Sequence, residues 1–85
     1  MNNIPVDVIC IFDKTGKVTP LKIRIENNDG SIITTKIDEV VYHRENIYTS
    51  FATIDYHCKV VIDEVEQIIG LRYNVHECIW RIIKL

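Results

Sequence analysis

Eighty-five residues with 12 acidic and 10 basic side chains, 47% hydrophobic and 26% charged, make an ordinary globular chain of net charge −2. A chain this short buries only about 60% of its unfolded surface, which excludes two separate cores. The charge excludes a general attraction to DNA or an anionic membrane, so a polyanion partner needs a local basic patch.

The residue choice points to strands. Ile, Val and Thr number 16, 9 and 6, whereas Ala and Leu together supply four. Side chains stiff at χ1 suit a pleated, half-buried surface and are mediocre in helices. Met1-Asn2-Asn3-Ile4-Pro5 has no basic leader and is followed by Asp7 and Asp13. No apolar run approaches the roughly 18 residues that span a bilayer. A cytoplasmic protein with no membrane contact is expected.

The first strand is predicted over residues 6–12, with Val6, Val8, Cys10 and Phe12 on one face. Ile9 and Ile11 make the other face apolar as well, which suits a strand covered on both sides. Asp13-Lys14-Thr15-Gly16-Lys17 supplies a hairpin turn in which Gly16 takes positive φ. The second strand, 18–26, alternates cleanly through Leu21-Lys22-Ile23-Arg24-Ile25-Glu26. Pro20 has no ladder donor and belongs near its start or at an edge position. Asn27-Asn28-Asp29-Gly30 is the strongest turn signal.

From about Ser31 the third strand places Ile33, Thr35 and Ile37 on one face, then slips to Val40 and Tyr42. A bulge at Asp38-Glu39 accounts for that slip and bends the sheet. Residues 42–50 read as the one long loop. The fourth strand, 51–62, points Ile54, Tyr56, Cys58, Val60 and Ile62 inward and Thr53, Asp55, His57 and Lys59 outward. Asp63 with Glu66 and a stop at Gly70 permit a short helix at 64–69; the β-branched surroundings favour a strand over 67–75. A turn at 74–77 precedes the last strand, 78–85. The buried set predicted from this phase is Val8, Cys10, Ile23, Ile25, Tyr56, Cys58, Val60 and Trp80.

Six short antiparallel strands avoid long free edges by closing, so the predicted fold is a small all-β, SH3-like barrel, with an OB-like barrel as the alternative. Ile4-Pro5-Val6-Asp7-Val8, Gly16-Lys17-Val18-Thr19-Pro20-Leu21-Lys22, Lys36-Ile37-Asp38-Glu39-Val40 and Trp80-Arg81 resemble small, uncharacterised bacterial proteins that carry a domain of unknown function. The resemblance departs at Cys78-Ile79, where this chain is more apolar. It implies an SH3-like barrel and carries no catalytic residue to transfer.

Candidate chemistry is sparse. Cys10, Cys58 and Cys78 are an odd count in apolar strand runs and read as reduced core thiols. His57-Cys58 and His76-Glu77-Cys78 lack the two close ligand pairs of a structural zinc site, and no metal or other cofactor is expected. Cys58 alternates onto the inner face, away from Asp55, His57 and Lys59, so no nucleophile, base and carboxylate are brought together, and Gly16, Gly30 and Gly70 match no phosphate-binding fingerprint. A non-catalytic protein-interaction or accessory module is therefore the leading reading, with apolar Tyr42, Ile47 and Tyr48 in the 42–50 loop as its contacts. Outward Ile9, Ile11, Ile68, Ile79 and Ile83 suggest self-association. The alternative is nucleic-acid binding by outward cations, Lys22, Arg24, Lys59, Arg72 and Arg81, if their strands adjoin. Phe12, Tyr56, Tyr73 and Trp80 are assigned to the core and so not to bases.

Overall fold

The computed structural model describes residues 3–26, 29–47 and 52–83. They form seven antiparallel strands: β1 (Ile4–Pro5), β2 (Asp7–Phe12), β3 (Val18–Glu26), β4 (Ile32–Ile47), β5 (Ala52–Ile62), β6 (Val65–Asn74) and β7 (Ile79–Ile83). The sheet order is β1-β7-β6-β5-β4-β3-β2. The sheet is curled into a half-barrel measuring 39 × 22 × 22 Å. None of the described residues is helical, and β6 runs through the segment where a short helix was permitted.

Seven strands replace the expected six because the N-terminal strand is split. Ile4 and Pro5 pair with Ile82 and Arg81 of β7, while Asp7 to Phe12 pair with β3. Val6, between them, donates its N–H to the Trp80 carbonyl at 3.0 Å. One continuous stretch of chain thus reaches from one edge strand of the curled sheet to the other. β2 is consequently an edge strand, not the doubly covered strand expected, and Ile9 and Ile11 are exposed. Phe12 is also exposed, at 56%, and meets Tyr73 only edge-on at 6.2 Å.

β4 carries the bend. Its register against β5 shifts between Ile37 and Glu39 and again between Val40 and Tyr42. The extra residue Asp38 brings Val40 to the concave side, and the second, Val41, turns Tyr42 to the convex side and His43 and Glu45 to the concave one. Up to Lys36 the strand pairs with β3, and from Ile37 it pairs with β5. The expectation of a loop at 42–50 is corrected for its described part: residues 42–47 continue β4, while Tyr48 to Ser50 lie outside the described residues. Phe51, Asn27 and Asn28, which entered the predicted strands and turns, also lie outside them.

The concave side is the core. Ile23, Cys58, Val60 and Leu71 have no accessible surface, and Tyr56, Tyr73, Trp80 and Ile82 close around them. Each such side chain stabilises the fold by about 1.5–3 kcal/mol through removal from water. Val8, Cys10 and Ile25 are half-buried against this cluster. Pro20 is fully buried in the part of β3 that pairs only with β2, beside a register shift that leaves Leu21 unopposed. Its missing N–H therefore interrupts no ladder with β4.

Two turns show how local chemistry sets the register. Asp13 accepts from Thr15 N at 2.8 Å, Thr15 Oγ1 at 2.6 Å and Lys17 N at 3.0 Å, and Gly16 sits at φ 86°. The Thr15 hydroxyl and the Lys17 and Thr15 amides hold the Asp13 carboxyl below its ordinary value. The β5–β6 hairpin turns on Asp63 and Glu64, at φ 52° and 65°. That pair of positive angles is the two-residue geometry whose twist matches the strands.

Candidate functional site

Strand order decides which cations meet. Lys22 stands in a cross-strand row with Ile9 and Lys36, and Arg24 in a row with Asp7 and Thr34, its guanidinium 3.8 Å from the Asp7 carboxylate. Arg72 and Arg81 oppose each other on β6 and β7. β4 and β5 separate β3 from β6, so the expected stripe of Lys22, Arg24, Arg72 and Arg81 is divided into two groups. Lys59 joins neither and lies 3.6 Å from Glu39.

A residue outside that expectation completes the second group. Arg44 opposes Asp55, Asp55 opposes Arg72 and Arg72 opposes Arg81, giving one row across β4, β5, β6 and β7 on the convex face. Arg72 grips Asp55 through two bonds, Nε to Oδ1 at 2.7 Å and Nη2 to Oδ2 at 3.0 Å. Burial pushes the Asp55 carboxyl up, but the Arg72 hydrogen bonds and charge outweigh this, with Asn46 and His57 assisting, and it ends below the ordinary carboxylate value. In the next row Tyr42 opposes His57, their ring centroids 4.8 Å apart. Sequence reasoning missed Arg44 because β4 was ended too early. The alternation Tyr42, Arg44, Asn46 against His43, Glu45, Ile47 was the available signal.

The same extension of β4 separates Tyr42 from Ile47, which were expected to act together. Tyr42 lies on the convex face, whereas Ile47 shares the concave face with His43 and Glu45 and is 78% exposed. Tyr48 lies outside the described residues.

Ile47 stands at the end of the face that lines the other notable feature, a groove of about 530 Å³. Its floor is Val40, Ile54 and Tyr56 of β4 and β5, with His43 and Glu45 on one wall and Thr15 to Thr19 of the β2–β3 hairpin on the other. The groove exists because β3 and β4 part company. Their ladder ends at Lys22 opposite Lys36, so among the described residues β4 is paired from Glu39 to Ile47 on its β5 side alone. The Val18 carbonyl is taken instead by the buried Tyr56 hydroxyl, which donates to it at 2.7 Å. Burial, with the Glu45 charge adding to it, pushes the Tyr56 phenol up to about 12. It stays a neutral donor at any working pH.

The cysteines divide by environment. Cys58 is fully buried, and burial pushes its thiol up to about 12. Cys10 is half-buried, and Cys78 is exposed in the turn before β7 at φ 57°, which corrects the assignment of all three to the core. Among the described residues no three His, Cys, Asp or Glu side chains converge as a metal site, and no helix is long and apolar enough to cross a membrane.

No protein-family model, curated protein or solved structure matches the chain. The resemblance carried by Ile4 to Val8, Gly16 to Lys22, Lys36 to Val40 and Trp80-Arg81 therefore rests on those residues alone.

Proposed function

We propose that this chain is a non-catalytic, SH3-like module that binds an extended peptide segment of a partner protein in the groove beside β4. The observation that carries the reading is the open edge of β4 from Glu39 to Ile47, bordering a groove with an apolar floor. An added strand satisfies its main chain on such an edge and places alternate side chains in the groove. Val40, Ile54 and Tyr56 suit apolar side chains of the bound segment, Lys17 and Glu45 set its charge preference at the rims, and Ile47 extends the contact. The raised Cys58 thiol supports the non-catalytic part, since a thiol held protonated to about 12 is a poor nucleophile at neutral pH.

Selection from a displayed library of random peptides, followed by amide chemical-shift and hydrogen-exchange mapping, tests this. Selected peptides should protect amides within residues 39–47 and lose affinity several-fold with Ile47→Asp or Glu45→Lys, both at exposed positions. Peptides that bind elsewhere and leave those amides unprotected would sink it.

A second reading has its own observation. Edge strand β2 exposes Ile9, Ile11 and Phe12, and its one charged residue, Asp7, is engaged by Arg24. Edge strands ordinarily carry charge or a covering element against pairing. A second copy of the chain fits that edge, and sedimentation equilibrium distinguishes a concentration-dependent dimer, lost with Ile11→Lys, from a monomer.

A further inference from the structure

The convex face calls for a different partner from the groove. Its row Arg44, Asp55, Arg72, Arg81 holds three guanidinium groups to one carboxylate. Adjacent strands lie about 4.8 Å apart, so the row spans roughly 14 Å. The paired carboxylate accounts for Arg72. Among the described residues Arg81 has one ion pair, to Glu77 at 4.0 Å and partly exposed, and Arg44 has none within 4 Å. Like charges directly opposite on neighbouring strands, as Arg72 and Arg81 are, weaken a sheet. Fold stability thus explains one arginine of the three. The row is not a by-product of general basicity either, because the chain as a whole is at −2.

Beside the arginines the same face offers rings. Tyr42 and His57 lie one row along, and Tyr42 is half exposed. His57 opposes Gly70 on β6, which adds no side chain between it and Ile83 of β7. A half-exposed tyrosine ring, backed by the half-buried His57 and beside guanidinium forks, matches the two needs of a nucleic-acid strand, a surface for a base face and bidentate partners for phosphates. Carboxylates of an acidic peptide use the forks but gain little from the rings.

We infer that the convex face of β4–β7 binds single-stranded nucleic acid, with Arg44 and Arg81 on phosphates, Arg72 held to Asp55 between them, and Tyr42, backed by His57, under a base. The site is separate from the peptide groove and stands or falls independently of it.

Fluorescence anisotropy with labelled dT12 and rU12 tests the inference. Binding should be micromolar at 50 mM salt. With two phosphates engaged, affinity should fall about 7-fold on going to 200 mM. Arg44→Glu and Arg81→Gln should each weaken binding and flatten the salt dependence, and Tyr42→Ala should cost about fivefold or more. Lys22→Glu and Lys36→Glu, exposed on the other part of the sheet, should leave affinity within twofold, and circular dichroism confirms that each variant is folded. Three results overturn the inference: no binding at 100 μM protein and 50 mM salt; equal losses from Lys22→Glu and Arg44→Glu; or displacement by an oligoglutamate of equal affinity with Tyr42→Ala silent, which reassigns the face to an acidic protein.

Discussion

The hydrogen bond from Tyr56 to Val18 predicts a defined loss on a single-atom change. Tyr56→Phe removes the hydroxyl and keeps the ring, which stays packed against Trp80 at a centroid distance of 5.5 Å. The packing contribution should therefore be unchanged. What changes is the Val18 carbonyl, 2.7 Å from the hydroxyl and on a residue only 6% exposed. A buried acceptor left without a donor costs about 1–3 kcal/mol. Partial hydration from the adjoining groove places the expectation at about 1–2 kcal/mol. In a domain of this size each kcal/mol moves Tm by about 4–8 °C, giving a fall of roughly 4–16 °C. Urea denaturation should show a lower midpoint at unchanged m, because the surface exposed on unfolding is the same. Hydrogen exchange at Lys17 and Val18 should quicken, since the bond fastens the hairpin wall of the groove to its floor. A loss below about 0.5 kcal/mol with unchanged exchange would refute this account of how the groove is held open.

Three further outcomes are expected. Glu64 sits at φ 65° in a two-residue turn; Glu64→Gly should stabilise the protein by about 1 kcal/mol by relieving left-handed strain, and an unchanged or lowered urea midpoint would contradict it. Cys58, Tyr56 and Tyr73 are each held protonated up to about 12 by burial, against ordinary values of 9.0 for the thiol and 10.0 for the phenols. Their folded values are raised, so the stability tied to the protonated forms is complete below about pH 9 and is lost as pH rises toward 12. Urea midpoints should be flat to pH 9 and then decline, with Cys58→Val removing the earliest part; a constant midpoint to pH 11 would count against it. With an aromatic disulfide reagent at pH 8, Cys78 should react quickly and Cys58 only on unfolding. Equal rates would show that the core opens far more readily than its packing suggests.

Much of the fold was legible because strand formation is written locally. Alternation through Leu21 to Glu26 and Ile54 to Ile62 fixed β3 and β5 and the burial of Ile23, Tyr56, Cys58 and Val60, since period 2 ties each side chain to a face. The phase slip before Val40 marked the bulge at Asp38, and Asp13 to Lys17 marked its own turn. Residues 42–47 were misread for a local reason as well. Polar residues dominate there, and a strand that runs beyond the covered core carries polar groups on both faces.

What the tertiary structure decided is adjacency. No local pattern shows that the N-terminal strand changes partners at Val6, that β4 leaves β3 after Lys36, or that Arg44, Arg72 and Arg81 share a row while Lys22 and Arg24 do not. Each depends on pairing between segments distant in the sequence, chosen by the curl of the whole sheet around one small core. The groove and the arginine row both arise from that choice. Alternation tells a residue which way to face, and only the order of strands in the curled sheet gives it neighbours.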